Sequence, residues 1–258
     1  MMAASAPRVA VVTGGTVGIG LATARALLDR GYRVAIFGHQ AQNTEKAKRA
    51  LTDEYGAGKV IARTVDLCEA TEVEGFFNDL ASEWETPEIL VCNAGISPKS
   101  QGGPTPFASL GLDEWNTVLS VNLTGAMLCC QAVVPGMAMK RYGRIVLVGS
   151  IAGRTLPKIA GTAYVTSKSA LAGFTRSLVG SYAGCGITIN LVAPGRIATS
   201  MIGDPESSTN RAALNRIPAG RLGKPNDVAA VITFLISDEA GFVNGAIIDV
   251  NGGEFVPA

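Results

Sequence analysis

The chain has 258 residues and a net charge of +1, and 47% of its residues are hydrophobic. That composition can fill a sizeable core and excludes a disordered chain, and the length suits one large α/β domain or two small ones. No basic run exceeds two residues, which excludes a surface built to neutralise a nucleic-acid backbone.

At the N-terminus, MMAASAPR holds no apolar signal-like core before Arg8. RVAVVT (8–13) is a short β-branched run and reads as a strand, followed by a helical pattern over 18–29. RVAIF (33–37) reads as a second strand, 44–55 as a helix, and KVIARTV (59–65) as a third strand. Thr71 opens the next helix, with Glu74 three residues on at the spacing of a capping box. EILVC (88–92) is a fourth strand, and two helical stretches fill 112–141. Within them AMLCCQAVVPGMAM is 14 residues long and broken by Pro135, too short to span a bilayer. RIVLVG (144–149) is a fifth strand, 161–184 a helix, ITINLVA (187–193) a sixth strand, 225–238 a helix and GAIIDV (245–250) a last strand. Continuously apolar strands belong to a sheet covered on both faces, and the β/α alternation predicts an α/β, doubly wound parallel sheet. No internal repeat and no Gly/Ser/Pro-rich linker divides the chain, so a single domain over 1–258 is expected. Two irregular stretches, 95–111 and 194–224, read as substrate loops and a lid, or as disorder.

TGGTVGIG (13–20) falls where the first strand becomes the first helix. Its glycines at 14, 18 and 20 differ in spacing from G-x-G-x-x-G, but the physics is shared: backbone N–H groups and a helix N-terminus can approach a diphosphate. A plain tight turn is the alternative. After the second strand, IFGHQAQNT carries no acid before Glu45 to bond a ribose 2′-hydroxyl. Gly38 leaves room and His39 can donate to a 2′-phosphate, which favours NADP(H) with NAD(H) as the alternative; His39 reads equally as an exposed loop residue. The five cysteines, at 68, 92, 129, 130 and 185, form no CxxC pair and His39 is the one histidine, so no metal site is predicted. Free buried thiols in a reducing, cytoplasmic compartment fit that pattern.

AYVTSKSALAGF (163–174) sets Tyr164 and Lys168 four residues apart, one turn along one helix face. They read as an acid beside a cation or as two ordinary amphipathic side chains. Ser150 could cap the turn after its strand, and Asn122 in SVNLTG could bridge backbone groups at a helix break.

Together these segments resemble the short-chain dehydrogenase/reductase family over nearly the whole chain. Thr13, Gly14, Gly18 and Gly20 match its T-G-x-x-x-G-x-G turn. VDL (65–67) resembles its adenine-contacting acid, and CNAG (92–95) its N-N-A-G motif, with Cys92 in place of the first Asn. APGRIAT (193–199) resembles its nicotinamide-holding turn, and the tail from Arg221 resembles the 3-oxoacyl-carrier-protein reductase branch. The resemblance implies a single-domain Rossmann fold with seven strands in the order 3-2-1-4-5-6-7. It implies a catalytic set of Asn122, Ser150, Tyr164 and Lys168. The implied cofactor set is Gly14, Thr16, Gly18, Ile19, Gly20, His39, Asp66, Leu67, Asn93, Ala94, Gly95, Tyr164, Lys168, Pro194, Gly195, Ile197 and Thr199.

The chemistry implied is pro-S hydride transfer between a nicotinamide and a carbonyl or alcohol carbon, with Tyr164 as general acid/base. A cation within about 4–6 Å lowers an acid's pKa, so Lys168, helped by the positive nicotinamide of the oxidised cofactor, would bring the phenol from about 10 towards about 7–9. Lys168 would also bind the nicotinamide ribose, Ser150 would hold the substrate oxygen, and Asn122 would fix a water linking Lys168 to solvent. Two rivals are weaker. VGSIAG fails the G-x-S-x-G pattern of a serine hydrolase. A non-catalytic dinucleotide-binding module or sensor would bind cofactor without turnover. Enoyl reductases space Tyr and Lys more widely than three intervening residues. The expected partner is a small carbonyl or alcohol substrate in a mostly apolar pocket, near loop 96–111, Ile197, Met201 and Ile202. A 3-oxoacyl thioester is one candidate, weakened by Cys185 where carrier-linked reductases place a basic residue. No nucleic-acid or membrane partner is expected, and a homotetramer is implied, with Ala170, Gly173, Ser177 and Gly180 either at a helix–helix contact or packed internally.

Overall fold

Successive residues of β1 (Val9–Thr13) point to opposite faces, yet all five are buried. Val9 and Val11 join one hydrophobic cluster with Leu90, Cys129 and Leu171, whereas Ala10 and Val12 join a second with Leu27, Leu51 and Ile232. A strand apolar on both faces requires helices on both, and that is the observed architecture. The computed structural model describes residues 7–99 and 103–257. Its sheet comprises β1, β2 (Arg33–Gly38), β3 (Val60–Thr64), β4 (Ile89–Cys92), β5 (Gly143–Val148), β6 (Ile187–Pro194) and β7 (Ile247–Val250). These seven are all parallel, in the order β3-β2-β1-β4-β5-β6-β7, as expected. The order reverses between β1 and β4, which opens a crevice at the carboxyl ends of those strands.

α1 (Gly18–Asp29) pairs with α8 (Pro225–Leu235) on one face, beside α2 (Ala41–Tyr55). α3 (Ala70–Glu83), α5 (Gly125–Lys140) and α6 (Thr162–Tyr182) cover the other. Four expectations need correction. α2 begins at Ala41, three residues before the predicted Thr44, because Thr44 Oγ1 donates back to the Gln40 carbonyl and Asn43 bonds the Gln40 side chain. The predicted Thr71–Glu74 capping box does not form, because both residues lie inside α3; Glu72 instead accepts the Asp66 N–H at 2.8 Å. The lid 194–224 is not structureless, since α7 (Ser208–Leu214) lies within it, capped by Ser207.

The fourth concerns the apolar stretch around Pro135. α4 (Leu112–Leu119) runs through a π-helical turn, Ser120–Thr124, into α5, giving one helix of 29 residues. That helix is long and apolar enough to cross a bilayer by length and composition, unlike the 14-residue segment read from sequence. Its apolar content is used internally: Cys129, Cys130, Val133 and Met137 are fully packed against the sheet and α3.

Candidate active site

The strand carboxyl ends converge on the β1/β4 crevice. Beyond β1 the chain turns with Gly14 at φ +61° and Gly18 at φ +54°, left-handed values that disfavour side chains. A Cβ on Gly20 would lie 2.2 Å from the Gly14 carbonyl oxygen and 2.5 Å from Asn93 Nδ2, so only glycine lets α1 start this close to the turn. The N-cap, Val17, supplies no side-chain acceptor and the first turn holds no acid. The Gly18, Ile19 and Gly20 amides therefore face an open cradle suited to an anion. Thr16 is buried against Gly38, where a Cβ would meet its Oγ1 at 2.9 Å.

Sequence motifs from other strands close on this turn. Asn93 Nδ2 donates to the Thr13 and Gly14 carbonyls at 3.0 and 3.2 Å, and Thr13 Oγ1 accepts the Asn93 and Ala94 N–H groups. The Asn93 side chain thus braces the glycine turn, and Ala94 and Gly95 present backbone to the crevice. Asp66 is exposed and accepts the Cys68 N–H at 2.9 Å, whereas the Leu67 side chain packs on Gly125. His39 is exposed at the end of β2. Pro194 ends β6, and a Cβ on Gly195 would lie 2.8 Å from Asn251 Cβ. Ile197 is buried and bridges Gly223, and the Thr199 methyl lies 3.1 Å from where a Gly18 Cβ would stand, so the lid meets the turn. These residues fit a dinucleotide: glycine-lined backbone, an uncapped helix start and no acid at the end of β2.

The four residues of the implied catalytic set also converge. Lys168, 5% exposed, donates to the Val148 carbonyl at 2.7 Å and lies 5.8 Å from the Tyr164 ring centroid. A Gly95 Cβ would stand 3.2 Å from Lys168 Nζ and 3.3 Å from Asn122 Oδ1, so Gly95 is the window between them. Asn122, in the π turn and 1% exposed, accepts the Ile96 N–H and donates to the Ile96 carbonyl and Ser167 Oγ. Ser150 Oγ accepts the Ala152 N–H at 3.1 Å, so it also caps its turn. The bland and chemical readings of Ser150 and Asn122 are therefore compatible.

Burial pushes the Tyr164 phenol above its ordinary range, with the Ser150 hydroxyl pulling it back. Burial lowers Lys168 to about 8, opposed by the nearby Cys92. Within the polypeptide alone desolvation dominates and the phenol is raised; the drop towards about 7–9 is expected with the oxidised nicotinamide helping Lys168.

Positioning residues missed in the sequence are Ser167 and Gly153. Ser167 Oγ donates to the Tyr164 carbonyl at 2.7 Å while accepting from Asn122, tying the π turn to α6. Gly153 lies against the Lys168–Ser169 backbone, where a Cβ would stand 2.8 Å away, and its carbonyl accepts the Ser169 hydroxyl. The serine after Tyr164 in AYVTSK was visible, but its partner on another element was not. Cys92, Cys129 and Cys130 are buried, whereas Cys68 is exposed and Cys185 half-buried, so only three of the five thiols fit the buried expectation. Burial, and for Cys130 first the Cys92 hydrogen bond, pushes the Cys129 and Cys130 thiols well up. No cluster of metal-ligating side chains occurs among the described residues.

A family model described as Enoyl-(Acyl carrier protein) reductase matches residues 14–254. The 3-oxoacyl-[acyl-carrier-protein] reductase FabG of Vibrio harveyi is 35% identical over 250 residues, 96% of this chain and 98% of the relative. The cis-4-hydroxycyclohexanecarboxylate dehydrogenase of Sinomonas cyclohexanicum is 39% identical over 251 residues, 97% of each chain. Among solved structures, a 3-oxoacyl-[acyl-carrier protein] reductase with bound NAD from Brucella melitensis superposes with a TM-score of 0.89 at 34% identity, covering 97% of this chain and 92% of that one.

Proposed function

We propose, from the premise that this chain belongs to the short-chain dehydrogenase/reductase family and is an NAD(P)(H)-dependent oxidoreductase interconverting ketones and secondary alcohols, that Tyr164 is its general acid/base. The observation carrying this is the convergence of Tyr164, Lys168, Ser150 and Asn122 beside the Gly95 window. When bound, the nicotinamide cofactor supplies or accepts the hydride. Tyr164 gives its phenolic proton to the carbonyl oxygen in reduction and recovers one in oxidation. Ser150 donates to the same oxygen and orients it. Lys168 binds ribose hydroxyls and favours the phenolate. Asn122 Oδ1 retains a lone pair beyond its Ile96 bond to hold a water that leads a proton from Lys168 to solvent. The Gly14–Gly20 turn would hold the diphosphate, Asp66 and the Leu67 backbone the adenine, Ala94 and Gly95 would line the ribose site, and Pro194–Thr199 would hold the carboxamide.

NADP(H) is the proposed cofactor. His39 is exposed, α2 starts two residues later with unpaired amides, and no acid lies in its first turn. A 3-oxoacyl thioester is the second substrate reading, supported by the names of several relatives. We place the enzyme in the cytosol, in keeping with five unpaired thiols. A panel of ketones with NADPH and NADH in parallel tests the whole reading: turnover with NADPH preference is expected, and cofactor binding without turnover on any ketone would favour the sensor.

A further inference from the structure

The expected pocket was mostly apolar with few charges, and Ile197 and Met201 supply part of that character. Its rim is different. Lys99, four residues beyond Gly95, reaches across to the lid and donates to the Met201 carbonyl at 3.4 Å. The charge that acts on it is that of another cation, Arg196, and none of the carboxylates of the described residues pairs with it. Arg196, half-buried at the base of the lid, donates from Nε to Asn210 Oδ1 at 2.8 Å. Asn210 is itself 1% exposed and fixed by the Ile202 and Asp204 carbonyls, so the guanidinium is held while its two terminal nitrogens bond none of the described residues. The carboxylates around Arg196 are already paired: Glu254 with Arg216 at 3.5 Å, and Asp227 and Asp249, which line a cavity with it, with Arg221 and Arg154. Burial, then Arg196, lowers the proton affinity of Lys99; burial does the same to Arg196, with Arg216 adding to it.

Lys99 and Arg196, on the loop and the lid, are thus left without a carboxylate partner of their own among the described residues. Like charges gathered without counter-charges repel, the half-buried Arg196 also pays for desolvation, and an anion between it and the exposed Lys99 relieves both. We propose that Lys99 and Arg196 form an anion-recognition pair that selects ketones and alcohols bearing a free carboxylate, an inference that rests on the ketone–alcohol reading above. Lys99 closes on the carboxylate from the loop, and Arg196 receives it from the lid.

The test uses matched pairs on the full chain. Reduction of 4-oxocyclohexanecarboxylate and of its methyl ester is followed with NADPH. In parallel, binding of cyclohexanecarboxylate and its methyl ester is measured calorimetrically in the presence of NADP+. The parent protein should prefer the acid in both assays. Lys99→Met should shrink the acid-to-ester ratio by about tenfold or more, the usual weight of a charge-assisted hydrogen bond, and Lys99→Arg should restore most of it. An acid-to-ester binding ratio that is the same in the parent and in Lys99→Met overturns the anion pair, whatever the turnover. Loss of turnover on every ketone, with the binding preference intact, would overturn the catalytic reading and leave the anion pair supported.

Discussion

Tyr164 and Lys168 each carry a burial penalty of opposite chemical consequence. Burial keeps the phenol protonated through neutrality, the form needed to reduce a ketone. Alcohol oxidation needs the phenolate, so its kcat/KM should climb from neutral into alkaline pH while reduction stays flat; a flat oxidation profile would count against Tyr164 as base. Tyr164→Phe should keep cofactor binding, read by fluorescence quenching, and lose about 10²–10⁴ in turnover. Lys168 binds its proton less tightly folded, at about 8, than unfolded, at about 10.5. Its charge therefore costs the fold about 3 kcal/mol below pH 8, and the cost fades as pH rises from 8 to 10.5. Lys168→Met should melt higher than the parent at pH 7, with the gap narrowing towards pH 10, and should be inactive. A melting gap that is constant with pH would assign the buried charge no energetic role. The residue types of this site were legible because Tyr and Lys stood one turn apart. The sign of the phenol's shift was not, because sequence spacing reports a neighbouring charge and says nothing about how much water both groups lose.

At the scale of elements, the site depends on three contacts between segments distant in the chain: the Asn93 brace on the glycine turn, the Asn122–Ser167 bond, and the Gly153–α6 approach. Gly153→Val would drive a side chain into the Lys168 backbone and lift the Ser150 turn from α6. It should lower kcat by at least about tenfold and also raise KM for the cofactor, because the displaced Lys168 is the proposed ribose contact. An unchanged kcat would mean that the turn does not position Ser150. The early start of α2 makes a second prediction. His39→Asp should shift preference from NADPH towards NADH in the ratio of kcat/KM values, because an acid there repels a 2′-phosphate and bonds a 2′-hydroxyl. An unmoved ratio would place the 2′-site elsewhere. Strand positions were readable to within a residue or two because continuous apolar runs bounded by turns leave little freedom. Helix starts were less so: α2 is set by the Asn43 and Thr44 side-chain bonds to Gln40, and α3 starts after Glu69 with backbone bonds alone, without the capping-box spacing read from the sequence.

For the whole molecule, the outer surface keeps large apolar groups in water. Phe107 and Leu112 stand exposed at the head of α4, Phe242 stands fully exposed beside β7, and β7 itself is only half-covered. Such surfaces mark association sites, and we propose a homotetramer, as the family resemblance implies. Gly173, Ser177 and Gly180 are exposed on α6, and Ala170 is half-buried, which supports a contact between copies over internal packing. Light scattering should give about four times 26.6 kDa, and a species of 26.6 kDa would overturn the assembly.

The order of apolar runs and turn signals determined the doubly wound sheet, because a strand buried on both faces admits few architectures. The motif residues at the ends of β1, β4, β5 and β6 carried the family resemblance, and the expected chemistry came from that resemblance, since each residue taken alone left a structural reading open. What only the tertiary structure decided is how those residues share their bonds. Asn93 is spent on the glycine turn, Ser167 completes the link from Asn122 to Tyr164, and Lys99 stands opposite Arg196 across the lid. Hydrogen-bond partners and unneutralised charge are properties of distance in space, and residues 97 positions apart in the chain, as Lys99 and Arg196 are (196 − 99), carry no local signal of their meeting.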